Sequence, residues 1–234
     1  MQVTLASRRS PDATSNEDFI AATPGVVVVI DGASVPAGLG TGCRHGTAWF
    51  AHRLGTQLLA LLTTQADHSP ADSLAQAITD VAALHADTCD LDHPGSPSTT
   101  VAILREQPEA VDYLVLGDPT ILLEEPTGLR DLTDDRLEHV AAVQHALTDT
   151  VARHRLRRAA VLSDGATRLV DRFGLLDWPG FLDVLGEQGP DAIITQVRAA
   201  EASDPDGRRW PRGKRHDDAT AVHVVLNDAT ASSD

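Results

Sequence analysis

The 234-residue sequence is poor in cysteine and in aromatic residues, and the aromatic residues make up only 3% of the chain. Its two cysteines, Cys43 and Cys89, lie far apart and form no C-x-x-C pair. This spacing supports neither a disulfide framework nor a zinc site built on paired thiolates. We therefore predict that both cysteines are unpaired thiols.

Long hydrophobic runs are also missing. No segment reaches the roughly 18 uninterrupted apolar residues that a membrane-spanning helix needs. Residues 1–18 lack the apolar centre of a secretory signal peptide. We expect a soluble, cytoplasmic protein with no membrane partner.

Basic residues are scarce beside acidic ones. The chain has 19 Lys and Arg against 34 Asp and Glu, which gives a formal net charge of −15. Such a charge repels nucleic acid, so we expect no nucleic-acid partner. An acidic chain can concentrate carboxylates around hard cations, although solubility alone also explains this composition.

Hydrophobic residues make up 42% of the chain, which is enough for one large core. We expect a single domain over residues 1–228. The last six residues, ATASSD at 229–234, are small and polar. This composition predicts a disordered tail.

Short apolar runs predict strands, and apolar residues at helical spacing predict helices. The predicted strands cover residues 2–7, 25–31, 99–106, 110–117, 119–125, 158–165 and 217–228. The predicted helices cover residues 42–62, 69–88, about 135–154, 179–186 and 190–201. This order is not a regular βαβ alternation. It favours an α+β fold with antiparallel strands in the core and helices outside.

Acidic residues stand beside the ends of several predicted strands. They are Glu17 and Asp18, Asp31, Asp164, and Asp217 with Asp218. Strand ends of a shared sheet can converge, and Mg²⁺ and Mn²⁺ prefer carboxylate oxygens as ligands. An Asp-Gly pair taken alone is mainly a turn signal. The combination of four such places indicates a metal site.

An ordered set of motifs spans nearly the whole chain. The motifs are NED (16–18), VVVVIDGAS (26–34), STTVAIL (98–104), YLVLGDPTILL (113–123), LTDD (132–135), AAVLSDGAT (159–167) and HDDATAVHVV (216–225). This set resembles the metal-dependent protein phosphatases of type 2C. The resemblance implies a four-layer α-β-β-α sandwich of two antiparallel sheets. It also implies two bound Mg²⁺ or Mn²⁺ ions, and leaves a third ion open.

The same resemblance implies the metal ligands. They are Glu17 or Asp18, Asp31, the Gly32 carbonyl, Asp164 and Asp217. By this resemblance Asp31 would bridge the ions, and Asp164 and Asp217 would complete the shell of one of them. Glu17 or Asp18 would hold the other ion directly or through water. A metal-bound water would attack phosphorus, so no protein nucleophile is required. The implied substrates are phosphoserine and phosphothreonine proteins.

The sequence departs from the family near the expected substrate site. After Asp31-Gly32 it reads Ala33-Ser34-Val35-Pro36 in place of a glycine-rich stretch, so the histidine proposed as general acid in some members is missing. Gly-Asp-Ser-Arg becomes Gly117-Asp118-Pro119-Thr120, and Ala13 replaces an arginine ahead of the NED motif. These changes predict a remodelled substrate site around an intact set of metal ligands.

Three positions carry open alternatives. His216 or His45 could replace the missing acid if the fold brings either within hydrogen-bonding reach. Taken alone, each histidine is better explained as a surface residue. Asp218 stands where the family commonly has Asn, so it either tightens the binding of a divalent ion or caps the start of the last strand.

Two basic runs have a functional and a structural interpretation. Arg212, Lys214 and Arg215 come shortly before Asp217 and could guide an anionic substrate to the metals. A solvated basic loop explains these three residues equally well. We interpret the run at 153–158 as structural, because it lies at the end of a predicted helix.

Three functions remain open at this point. The leading hypothesis is a metal-dependent phosphatase acting on phosphate monoesters of proteins. A second is that the same centre acts on a small phosphorylated metabolite. A third is a pseudophosphatase that binds partners without catalysis, and the retained acidic positions speak against it because buried like charges need a metal.

Overall fold

The computed structural model of the protein describes residues 1–33, 38, 40–134 and 146–226. Within these residues ten strands form two antiparallel five-stranded sheets, and five α-helices cover them. No helix in the described ranges combines the length and the hydropathy needed to cross a membrane.

The strands and helices follow one another in an irregular order. The strands are β1 (Gln2–Arg8), β2 (Phe19–Ala22), β3 (Val26–Ala33), β4 (Ser98–Glu106), β5 (Ala110–Leu116), β6 (Thr120–Glu125), β7 (Gly128–Leu132), β8 (Leu147–Ala152), β9 (Arg158–Leu162) and β10 (Ala219–Val225). The helices are α1 (Thr47–Thr64), α2 (Pro70–Ala83), α3 (Asp164–Asp171), α4 (Trp178–Gln188) and α5 (Pro190–Ser203). The first sheet has the strand order β1-β10-β9-β6-β7, and the second has β2-β3-β4-β5-β8.

Strand β3 shows how the layers are built. Val27 is buried between the two sheets, in the same cluster as Leu123 of the first sheet. The next residue, Val28, points to the opposite face and packs with Leu58 of α1. On the far side of the first sheet, Leu122 packs with residues of α3, α4 and α5. The expected four-layer α-β-β-α sandwich is confirmed, and β3 is buried on both faces because each face meets another layer.

The helix predicted over residues 135–154 is wrong where the structure tests it. Residues Leu147–Ala152 form β8, which pairs with β5 at the edge of the second sheet. A 3-10 turn follows at Arg153–Arg155. Pairing with β5 supplies hydrogen-bond partners that outweigh a weak helical pattern. Residues 135–145 lie outside the described residues, as do residues 34–36 and the tail at 229–234.

The basic run at 153–158 is structural, but not through a helix dipole. Arg153 pairs with Glu106 at 2.6 Å, and Arg158 pairs with Glu124 at 2.7 Å. These ion pairs join the start of β9 and the turn before it to neighbouring strands.

Three short elements were missed by the sequence patterns. Strands β2 and β7 have only four and five residues. Helix α3 begins at Asp164, so the predicted strand at 158–165 is wrong in its last residues: β9 ends at Leu162 and the Asp-Gly pair opens the helix.

Candidate metal centre

Acidic residues from separate parts of the chain meet at one end of the sandwich. Asp31 lies near the end of β3, Asp164 is the first residue of α3, and Asp217 precedes β10. All three line one cleft of about 230 Å³ together with Gly32 and Lys214. The structure therefore brings together four of the predicted ligand positions.

Asp118 is a further acidic residue in this cleft, and the sequence patterns did not single it out. It lies in the turn between β5 and β6, where Gly117 has a φ of 89°. Burial is the main cause of the raised pKa values of Asp31 and Asp164, and the negative charge of Asp118 raises both further. Asp118 lies in the motif at 113–123, but in the sequence that segment indicates only a departure from the family pattern.

Asp18 is the most deeply buried of the predicted ligands. Its Oδ2 accepts hydrogen bonds from Thr220 Oγ1 at 2.6 Å and from Ser163 Oγ at 3.0 Å. Its Oδ1 is buried and has no partner among the described protein atoms. A buried acceptor of this kind calls for a donor or a cation.

The carboxylates share an environment that disfavours negative charge. Burial, reinforced by the charges of Asp218 and Asp164, raises the pKa of Asp18 to about 7 despite its two hydrogen bonds. Burial and the charge of Asp217 raise the pKa of Asp164 to about 6. Burial and then the charge of Asp18 hold the pKa of Asp31 well above its usual range. Divalent cations would reverse these shifts, so the cluster fits the oxygen-ligated metal centre that the motifs predict.

Gly32 lies against the backbone of Glu17. A Cβ at Gly32 would come within 2.8 Å of the Glu17 carbonyl oxygen and 2.7 Å of Thr47 Cγ2. Only glycine leaves this contact intact, and it keeps β3 close to the NED segment. Glu17 itself lines a neighbouring cleft of about 640 Å³ that also contains Asp217.

Asp218 serves the backbone around the site. Its Oδ1 accepts the N–H of Ser10 at 2.6 Å, and its Oδ2 accepts the N–H of Glu17 at 2.6 Å. Both oxygens are therefore engaged in holding two N-terminal segments against the start of β10. This geometry supports the structural alternative for Asp218 over the ion-binding one.

Asp217 is held by a buried network of charges. Arg168 donates to Asp217 Oδ2 at 2.9 Å, and Lys214 lies 3.2 Å from its Oδ1. Arg168 also pairs at 2.7 Å with Glu201, whose side chain has no solvent exposure. His216 Nδ1 lies 2.6 Å from the other oxygen of Glu201. His216 therefore belongs to this network and lines the cleft of Glu17 rather than that of Asp31.

Three further predicted site residues, His45, Arg212 and Arg215, do not line the Asp31 cleft. His45 does not line the Asp31 cleft, because its ring stacks on Trp49 with centroids 4.3 Å apart. Arg212 has a 3% exposed side chain, and its guanidinium pairs with Asp204 at 3.1 Å. It also lines an adjoining cleft of about 430 Å³ that contains Asp164 and Asp217. Arg215 is exposed and lines the cleft of Glu17. Of the three basic candidates, Lys214 alone lines the Asp31 cleft.

The fold is shared with solved bacterial proteins, including two described as serine/threonine phosphatases. The serine/threonine phosphatase PstP/Ppp of Mycobacterium tuberculosis aligns with a TM-score of 0.62 and 15% identity, over 97% of this chain and 98% of that one. Stp1 of Staphylococcus aureus aligns with a TM-score of 0.66 and 12% identity, over 97% and 95% of the two chains. PppA of Pseudomonas aeruginosa aligns with a TM-score of 0.62 and 18% identity, over 97% of each chain.

Sequence comparison identifies the family. No curated protein matches the chain. The family model described as Protein phosphatase 2C matches residues 9–187, a span that contains the NED motif, Asp31 and Asp164. The chain therefore belongs to the protein phosphatase 2C family.

Proposed function

We propose that the protein is a metal-dependent phosphatase that hydrolyses phosphate monoesters on phosphoserine and phosphothreonine proteins. The observation that carries this proposal is the buried convergence of Asp18, Asp31 and Asp164, all with raised pKa values. Carboxylates held this closely are costly unless cations neutralise them. Membership of the protein phosphatase 2C family supports the reaction class.

Two Mg²⁺ or Mn²⁺ ions suit this donor set, because carboxylate and carbonyl oxygens are hard ligands. The ligands would be Asp31, the Gly32 carbonyl, Asp164 and Asp217, with Asp18 or Glu17 serving the second ion. When bound, the ions supply Lewis acidity to water and to the phosphoryl oxygens.

The remaining residues position the ligands and attract the substrate. Arg168 fixes the carboxylate of Asp217, and Asp218 fixes the backbone of Glu17. Lys214 lies where three adjoining clefts meet, and all three contain Asp217. Its ammonium group would draw an anionic phosphate toward the carboxylate cluster.

The shape of the surface favours a phosphorylated protein over a small molecule. The three clefts have volumes of about 230, 430 and 640 Å³, and they adjoin one another because Lys214 and Asp217 line all three. A lone phosphate would occupy only part of this surface, whereas a peptide can extend along it. The solved structures that share the fold include proteins described as serine/threonine phosphatases.

The test of the reaction is hydrolysis of para-nitrophenyl phosphate with and without added Mn²⁺. We expect metal-dependent turnover in the wild type and a loss of about 100-fold or more in Asp31→Asn and Asp164→Asn. Asp67→Asn, an exposed carboxylate between α1 and α2, is the matched control and should retain full activity. Absence of turnover in any metal, together with no Mn²⁺ binding by calorimetry, would instead favour a regulatory module.

A second assay addresses the substrate class. Values of kcat/KM would be compared for phosphoserine and phosphothreonine peptides and for a panel of small phosphorylated metabolites. Higher values for the peptides are expected, because only they reach across the adjoining clefts. A clear preference for one metabolite would overturn the protein-phosphatase part of the proposal and leave the reaction class standing.

A further inference from the structure

A second cluster of potential metal ligands lies outside the Asp31 cleft. It contains both cysteines and two histidines: Cys43, His45, His85 and Cys89. Their ligand atoms all lie within 4.8 Å of one another. These residues come from two connections, one just before α1 and one just after α2.

The distances within the cluster match those around a tetrahedral zinc ion. Zn–S bonds of about 2.3 Å and Zn–N bonds of about 2.05 Å place sulfur atoms roughly 3.8 Å apart, and sulfur and nitrogen roughly 3.6 Å apart. Here Cys43 Sγ lies 3.5 Å from Cys89 Sγ. Cys43 Sγ lies 3.7 Å from Nδ1 of both His45 and His85, and Cys89 Sγ lies 3.4 Å from His45 Nδ1.

The groups around the cluster hold the ligands in place. Trp49 stacks on His45 with centroids 4.3 Å apart and meets His85 at 5.0 Å. The backbone N–H of His45 points at Cys43 Sγ across 3.5 Å, a contact that stabilises a thiolate. Oriented imidazoles and N–H groups directed at sulfur are the supporting contacts that metal ligands need.

We propose that Cys43, His45, His85 and Cys89 bind one structural Zn²⁺ ion. Two thiolates and two imidazoles form a closed set of four soft and borderline donors, which suits zinc and leaves no position for substrate. This chemistry differs from the oxygen donors of the carboxylate cluster. The site therefore adds to the proposed phosphatase centre and does not depend on it.

The zinc would tie together two long connections. Residues 84–97 contain turns but no helix or strand, and connections of this length seldom hold a single shape without support. The backbone N–H of Asp90 donates to the Gly42 carbonyl at 2.9 Å, so the two connections already touch. Closing four ligands around one ion would lock the start of α1 to the end of α2.

The proposed zinc site would also support the carboxylate centre indirectly, through the start of α1. His45 stands two residues before Thr47, whose Cγ2 lies against the Cβ position of Gly32. Zinc binding would therefore hold the start of α1 where it packs against Gly32 of β3.

The sequence spacing hid this site. Cys43 and His45 form a C-x-H pair, and His85 and Cys89 form an H-x-x-x-C pair, so neither half contains two cysteines. A rule that looks for paired cysteines therefore missed it. Both cysteines are free thiols in the structure, as expected, but their sulfur atoms lie 3.5 Å apart.

The test measures zinc by mass spectrometry in untagged protein, dialysed against metal-free buffer. We expect about one zinc per chain in the wild type and near zero in Cys43→Ser and His85→Asn. His154→Asn removes an exposed histidine and should keep its zinc. Asp31→Asn should also keep it, which separates this site from the carboxylate centre.

Cobalt provides a readout that needs no variant to fold. Co²⁺ added to metal-free wild type should produce the visible bands and thiolate charge-transfer absorption of a tetrahedral cysteine-ligated ion. Zinc that stays bound in both ligand variants would overturn the proposal. The proposal would also be overturned if the wild type holds no zinc and contains a Cys43–Cys89 disulfide, seen as a mass two hydrogens below that of the reduced chain.

Discussion

Among individual residues, Asp18 and Glu17 are distinguished by their surroundings in the fold. It follows Glu17 in the sequence, and both are acidic, so the pattern alone does not separate them. In the fold Asp18 is only 2% exposed. One carboxylate oxygen accepts from two hydroxyls, and the other has no partner among the described protein atoms. Glu17 instead lines an open cleft.

The raised pKa of Asp18 predicts how the stability of the metal-free protein depends on pH. Its folded-state pKa is about 7 against 3.8 for the free side chain, so the folded state binds the proton more tightly than the unfolded state. This contribution to the free energy of unfolding is fully present at low pH and is lost as pH rises through about 7. Asp31 and Asp164 act in the same direction.

We therefore expect thermal melts without Mg²⁺ or Mn²⁺ to show that Asp18→Asn stabilises the protein more at about pH 8 than at about pH 5. The amide carries no charge, so it removes the cost of ionising a buried carboxyl group. Added Mn²⁺ should stabilise the wild type more than the variant. Parallel pH profiles for the two proteins would show that Asp18 ionises freely in the fold.

Among the elements, helix α3 places Asp164 beside the start of β10. The helix begins directly at the end of β9, so its first turn approaches the backbone of Asp218. A Cβ at Gly165 would lie only 1.8 Å from the Asp218 carbonyl oxygen. Glycine is therefore required here by close packing of backbone on backbone, with no positive φ involved.

Gly165→Ala should separate α3 from β10 and destabilise the fold by about 3 kcal/mol, because a backbone contact cannot yield as a flexible side chain can. Urea unfolding would measure the change. Gly213→Ala is the matched control, since a Cβ added at Gly213 would meet no atom of the described residues within 4 Å. An equal effect of the two substitutions would contradict the packing argument.

At the scale of the whole molecule, the layer between the sheets joins the two halves that carry the site. Asp31 belongs to the second sheet, whereas Asp164 and Asp217 belong to the first sheet and its helices. The hydrophobic residues between the sheets, such as Val27 and Leu123, hold these halves at a fixed distance. The stability of the site therefore depends on the core of the sandwich.

Leu123→Ala should lower the free energy of unfolding by about 2–5 kcal/mol, because Leu123 is fully buried between the sheets. Leu5→Ala, at a side chain 47% exposed, should change it by only about 0.5 kcal/mol or less. If the chain is one domain, circular dichroism and tryptophan fluorescence should report a single coincident transition. Two separate transitions would contradict the single-domain prediction.

The sequence by itself determined the architecture and the chemical character of the main site. Runs such as VVVVI specify strands buried on both faces, and the acidic residues placed near strand ends indicate a metal site. These signals are local, because they depend on spacing along a few residues. They failed at β8, where pairing with a distant strand outweighs the local pattern.

Only the tertiary structure decided which polar groups meet. In the fold both carboxylate oxygens of Asp218 accept hydrogen bonds from backbone N–H groups. Arg212 pairs with Asp204, and Asp118 lines the Asp31 cleft. The fold also gathers Cys43 and Cys89, which are far apart in the chain, with two histidines. The physical reason is that hydrogen bonds, ion pairs and metal ligation act over a few ångströms in space. Separation along the chain does not reveal those distances, because they are set only when the two sheets and five helices pack together.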